Sequence, residues 1–196
     1  MTIQTVTLPS VPIDPAVVCR YLGARAEALP LQLLEQTAAI CAEAETLGRW
    51  RACWLELPVT VEEDVVIAGS LLRLPGRALA RHLKGCDRAV LLCATAGPGF
   101  DRQLAFHKLR PAALSIWDAA GTAGIESFCD LLCQRFGDGQ RSRFSPGYGD
   151  LPMSCQAELL RVLDAGARLG VGLTEGLLMT PAKSVTAIVG LEANHD

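Results

Sequence analysis

The segment Arg143-Phe-Ser-Pro-Gly-Tyr-Gly-Asp150 carries residue types suited to holding a ligand. Its Gly and Pro spacing reads as a shaped loop, and such loops commonly carry binding groups. Arg143 presents a planar fork that matches a carboxylate or phosphate. Gly147 permits close backbone approach or a positive φ, and Tyr148 offers a flat face with a hydroxyl. A plain helix-to-helix turn with a stacked Tyr is the competing reading of the same residues. A second candidate is Asp118, Thr122 and Glu126. Their four-residue spacing puts them on one helix face, with the two carboxylates about 12 Å apart along the axis. Among small apolar residues they suit a cationic ligand or a partner's basic residue; the alternative is a solvated acidic face.

Other chemistries find less support. The eight cysteines form no Cys-x-x-Cys pair, and the closest two are Cys129 and Cys133. His82, His107 and His195 are scattered. Structural zinc sites use tighter knuckles with local His partners, so the cysteines read as small core hydrophobes and no metal is expected. No P-loop occurs. Gly170-Val-Gly172 follows a helix, the wrong context for a dinucleotide fingerprint, and no Gly-x-Ser-x-Gly elbow is present. No catalytic residue is assigned.

The elements that must position the loop and the acidic row are predicted as follows. Residues 1–13 form an extended arm. Asp14 caps a short helix that opens on Pro15 and runs to about Gly23. Pro30 opens a longer helix to about Leu47, striped by Leu33, Leu34, Thr37, Ala38, Cys41 and Ala44, and Gly48 stops it. Residues 52–73 are short β-prone runs split by Pro58 and by Glu62-Glu63-Asp64. A helix follows from Arg77 to Leu83, ended by Lys84-Gly85. Arg88 to Ala94 is the best central strand, and Asp101 to His107 a short helix. The longest helix runs from Pro111 to about Phe136, ended by Gly137-Asp-Gly139, with Gly121, Ala123 and Gly124 permitting a close approach. Ser154 caps a helix to about Arg168. Leu173–Met179 and Ser184–Leu191 read as two strands. Interleaved helices with clustered strands favour a single α+β domain, 1–196, with a mixed or antiparallel twisted sheet and flanking helices.

Composition bounds the function class. The chain has 196 residues, 50% apolar and 20% charged, with only 5% aromatics, so the core is expected to be aliphatic and Ala-rich. A net charge of −3 argues against a nucleic-acid binder. No apolar run reaches membrane-spanning length, and the N-terminus lacks a signal-peptide pattern. A cytoplasmic protein with reduced thiols is expected.

Several blocks resemble the activation domain of cobalamin-dependent methionine synthase. They are Arg143-x-x-x-Gly147-Tyr148; Leu173-Thr174-Glu175 with Met179-x-Pro181 and Ser184-Val185; and the helix around Ile125-Glu126-Ser127-Phe128. Upstream, Arg20-Tyr21-Leu22-Gly23, His82-Leu83-Lys84-Gly85-Cys86, Ala94-Thr95-Ala96-Gly97 and Asp118-Ala119-Ala120-Gly121 look like stand-alone members of that family. The resemblance implies binding of S-adenosylmethionine and docking on a cobalamin carried by a partner protein. The activity implied is support for reductive methylation of cob(II)alamin, in trans, with a flavodoxin-like electron donor.

Residue by residue, the resemblance implies that Arg143 holds the methionine end of S-adenosylmethionine and that Glu126 pairs with its cationic part. It implies a backbone contact at Ser145, and Tyr148 at the pocket. Gly147 and Tyr148 would face the cobalamin. The family's further C-terminal segments and its aromatic N-terminal segment have no visible counterpart. The alternative is therefore a non-enzymatic adaptor of another corrinoid methyltransferase, without S-adenosylmethionine binding. An unrelated small-molecule enzyme on the same scaffold is a third reading.

Overall fold

The apolar run around Val90 forms strand β5 (Cys86–Thr95), which lies between two neighbouring strands and is covered on both faces. The computed structural model describes residues 2–23, 29–137 and 139–192; Asp138 in the expected helix stop and His195 lie outside them. The other elements are β1 (Gln4–Leu8), α1 (Pro15–Tyr21), α2 (Leu31–Leu47), β2 (Trp50–Val61), β3 (Val65–Ala68), β4 (Leu72–Pro75) and α3 (Arg77–His82). After β5 come α4 (Gly99–Phe106), α5 (Pro111–Cys133), α6 (Cys155–Val162), α7 (Ala165–Leu169), β6 (Gly172–Leu173), β7 (Met179–Thr180) and β8 (Ser184–Glu192).

The main sheet runs β4-β3-β2-β5-β8, and β1 pairs with the first part of β2. Every ladder in it is antiparallel. With helices on both faces, this is the expected α+β architecture.

Strand alternation divides the core. Leu91 and Cys93 of β5 face one layer, with Leu79 of α3, Leu159 of α6 and Leu169 of α7. Leu92 and Ala94 face the other, with Val18 of α1, Ile40 of α2, Phe100 of α4 and Phe128 of α5. Burial on both faces explains why β5 reads as an unbroken apolar run rather than an alternating one. The few aromatics concentrate on the α5 side: the Trp50 ring lies 5.8 Å from Phe100 and 6.0 Å from Phe128. Gly124 is what admits it, since a Cβ there would stand 2.5 Å from Trp50 Cη2.

Capping chemistry sets several boundaries. The Asp14 carboxylate accepts from the Ala16 N–H at 2.8 Å and opens α1 ahead of Pro15. Gly48 ends α2 as expected, although its buried face is Thr37, Ile40, Cys41 and Ala44, with Leu33 and Leu34 half-buried and Ala38 exposed.

Three expectations need correction. Pro58 does not split its segment: β2 is one strand of 12 residues. Pro58 stands where pairing to β5 ends and pairing to β3 begins, a changeover at which a missing donor is tolerated. The helix after Ser154 does not run to Arg168, and the Ser154 side chain makes no capping bond. Asp164 adopts φ 50, which ends α6 and re-aims the chain into α7 so that Leu163 and Leu169 are both buried. Leu173–Met179 is a tight hairpin rather than one strand, because the Thr174 N–H donates to the Leu178 carbonyl and leaves two paired residues on each side.

Candidate functional site

α5 links the core to the candidate site. Ile116, Trp117, Ala120, Gly124 and Phe128 are buried, while Asp118, Thr122, Glu126 and Asp130 recur every four residues along another flank. The sheet edge supplies the opposite wall. Segment 139–144 runs beside β8: the Phe144 and Ile188 backbones bond each other at 2.9 and 2.8 Å, and the Arg141 N–H donates to the Gly190 carbonyl. The chain then leaves the strand edge at Ser145, and Ser184 to Thr186 remain beside an opening.

That opening is a cavity of about 660 Å³, lined by Glu126, Asp130, Arg143, Ser145 and Tyr148 and floored by Gln156 and Thr186. Four residues expected to share a site therefore meet around one space. Gly147 does not line it; it is exposed at the turn, with φ 91. The turn is closed by the Tyr148 N–H to the Ser145 carbonyl at 3.0 Å and the Gly147 N–H to the Leu151 carbonyl at 2.9 Å. Tyr148 is 57% exposed at the mouth.

Arg143 is the electrostatic centre. Its Nη2 donates to Glu126 Oε2 and its Nη1 to Asp130 Oδ1, each at 2.6 Å. Cys133 Sγ lies 3.8 Å from Nη1. Burial works against the Arg143 charge, but the hydrogen bond to Asp130, with help from the neighbouring thiols, raises its pKa above the ordinary arginine value. The guanidinium stays charged at any working pH. Two carboxylates against one guanidinium leave one negative charge at this end of α5.

The other half of the acidic row lies elsewhere. Lys183 Nζ donates to Asp118 at 2.8 Å and to Thr122 Oγ1 at 2.9 Å. Asp118 and Glu126 therefore do not form one acidic face for one cation.

Several cavity residues were not anticipated. Asp130 is the next step of the 118–122–126 spacing and was legible on that ground. Gln156 and Thr186 are buried polar residues whose side chains meet, Thr186 Oγ1 to Gln156 Oε1, at 3.5 Å. Gln140, also on the wall, has an enclosed Oε1 without a hydrogen-bond partner among the described residues. Threonine within an apolar strand was the available signal for Thr186; Gln140 had none.

The buried thiols of Cys41, Cys53 and Cys129 are poor nucleophiles. Burial pushes Cys41 and Cys53 up to about 11 and Cys129 up to about 12. Among the described residues, no three His, Cys, Asp or Glu side chains group so as to hold a metal ion, and no helix is long and apolar enough to cross a membrane.

Fold and site together define an α+β domain with a ligand-sized cavity where a shaped loop meets the edge of an antiparallel sheet. Among solved structures, the chain is similar to the MetH reactivation domain bound to AdoHcy, with a TM-score of 0.75 and 13% sequence identity. The match spans 100% of this chain and 80% of that one. At this identity the likeness establishes a shared architecture: a twisted sheet with flanking helices. No protein-family model and no curated protein matches the sequence.

Proposed function

We propose that the chain binds S-adenosylmethionine in the cavity beside Arg143 and docks on a cobalamin-bearing methionine synthase or related corrinoid protein, supporting reductive methylation of cob(II)alamin. The observation that carries this reading is the meeting of Glu126, Arg143, Ser145 and Tyr148 around one cavity, in a fold similar to a reactivation domain that binds AdoHcy. The volume of about 660 Å³ falls within the usual range for small-molecule sites. Bound there, S-adenosylmethionine would supply the methyl group and leave as S-adenosylhomocysteine, while a reduced flavodoxin-like donor would supply the electron that the partner's cobalamin needs.

The chain's part is positioning. A guanidinium carries five N–H donors, so Arg143 keeps donors for a ligand carboxylate beyond those engaged by Glu126 and Asp130. The excess carboxylate beside it suits the ligand's ammonium and sulfonium charges. Ser145 contributes backbone contacts. Tyr148 and Gly147, both exposed at the turn, face the docked corrinoid.

One observation favours a second reading. Arg143 is already gripped by two carboxylates at 2.6 Å, an arrangement that is satisfied without a ligand. An adaptor that engages a corrinoid protein and binds no nucleotide fits that state. Isothermal titration of the full chain with S-adenosylmethionine separates the two, alongside absorbance recovery of methylcobalamin in a reduced corrinoid methyltransferase. Saturable heat with faster recovery is expected. Complex formation without heat selects the adaptor, and neither heat nor complex overturns both readings.

A further inference from the structure

The Arg143 loop is tied at two points to one short helix, α3. α3 is six residues long, about 9 Å from end to end. Its first-turn amides have no cap of their own, because Gly76 stands at the capping position. The Asp150 carboxylate supplies the cap from the loop: Oδ2 accepts from the Arg77 N–H and Oδ1 from the Ala78 N–H, both at 2.9 Å. At the other end of α3, His82 Nε2 lies 2.8 Å from the Ser142 carbonyl and donates to it. The Phe144 ring lies between His82, at 5.2 Å, and Tyr148, at 5.8 Å.

Two glycines permit the close fit. A Cβ on Gly76, at φ 138, would stand 3.1 Å from Asp150 Oδ1, and one on Gly149, at φ 54, would stand 2.6 Å from the Ala78 Cβ. α3 itself is anchored in the core through Leu79 and Ala80. The hydrogen bonds from the Ala78 and Arg77 amides hold the Asp150 carboxyl below the ordinary aspartate range.

We infer that α3 is a clamp, and that Asp150 and His82 are positioning residues that hold the loop so that Arg143 and Tyr148 face the cavity. Neither side chain lines the cavity; each acts through the backbone between them. The clamp stands on geometry alone, while its effect on ligand affinity rests on the proposed S-adenosylmethionine site.

Hydrogen–deuterium exchange on the full chain tests the clamp without ligand. Asp150→Ala is expected to speed exchange of the Gly147 and Tyr148 amides about tenfold or more, leaving the Leu91 amide in β5 unchanged. Asp150→Asn, which keeps one acceptor oxygen, falls between. His82→Ala loosens the Phe144 end, and His82→Gln, which still donates, restores it. Unchanged loop exchange in both alanine variants overturns the clamp. Should Asp150→Ala unfold the protein, the His82 pair decides alone.

In titrations with S-adenosylmethionine, Asp150→Ala is expected to weaken affinity about tenfold at an unaltered stoichiometry. A loosened loop with wild-type affinity overturns the positioning role. If the wild-type chain binds no S-adenosylmethionine, the proposed function falls and the exchange data still decide the clamp.

Discussion

Along one flank of α5, Asp118 and Thr122 hold Lys183, while Glu126 and Asp130 hold Arg143 further along. Lys183 arrives from a remote segment and Arg143 from the loop that follows α5, and each side chain is largely removed from solvent, at 11% exposure for Lys183 and 18% for Arg143. The difference lies in charge balance and surroundings. The Lys183 end pairs one cation with one carboxylate, and its aliphatic stem packs over Gly121, where a Cβ would stand 2.9 Å from Lys183 Cε. It fastens the start of β8 to the helix. The Arg143 end keeps a surplus carboxylate and faces a cavity with buried polar side chains on its floor. A cavity of about 600 Å³ also opens beside Asp118 and Thr122, so the two ends differ in the charge they leave over and in the buried polar side chains beside them, not in the presence of a space.

The largest expected effect is at Arg143. Arg143→Ala leaves Glu126 and Asp130 facing each other without a counter-charge, and S-adenosylmethionine affinity is expected to fall about 30-fold or more by calorimetry. Wild-type affinity in that variant would remove Arg143 from the site. Asp130→Asn keeps an acceptor for the guanidinium but removes the surplus negative charge that suits the ligand's cationic groups, so affinity is expected to fall about threefold. No change there would mean that the triad is as structural as its Lys183 counterpart.

Lys183→Met keeps the stem and removes the charge. It leaves an exposed Asp118, so stability should change by about 1 kcal/mol or less in urea melts, with ligand affinity within about twofold of wild type. A large loss of affinity would join the two ends into one site.

The smallest effect concerns acid. Asp150 has a folded-state pKa below its ordinary value, so its contribution is complete above the ordinary aspartate range and is lost as pH falls through the depressed value. The Tyr148 amide should therefore stay protected through mild acid and open only below that range, as followed by exchange at a series of pH values.

Much of the fold was legible because local chemistry agreed with it. Asp14 before Pro15 opened a helix, Gly48 closed one, and an apolar run without alternation marked a strand buried on both faces. The misses share one cause. Pro58 was expected to break a strand, but it stands where β2 changes partners, which depends on where β3 and β5 lie. Asp164 in a left-handed conformation carries no glycine signal, and packing of Leu163 and Leu169 imposes it. At the site, Arg143, Glu126 and Tyr148 were visible as types and spacings, and Ser145 only through the family resemblance. Asp130 lay in plain view one step further along the same spacing.

The sequence by itself determined the helix flank that carries the carboxylates, the loop that carries Arg143 and Tyr148, and the α+β class, since periodicity, capping and turn chemistry are local properties. Only the tertiary structure decided which carboxylates meet which cation, that Thr186 and Gln156 floor the cavity, and that Asp150 caps a helix more than 70 residues earlier in the chain. Those contacts form between segments brought together by burying both faces of the sheet, and spacing along the chain carries no information about distance across it.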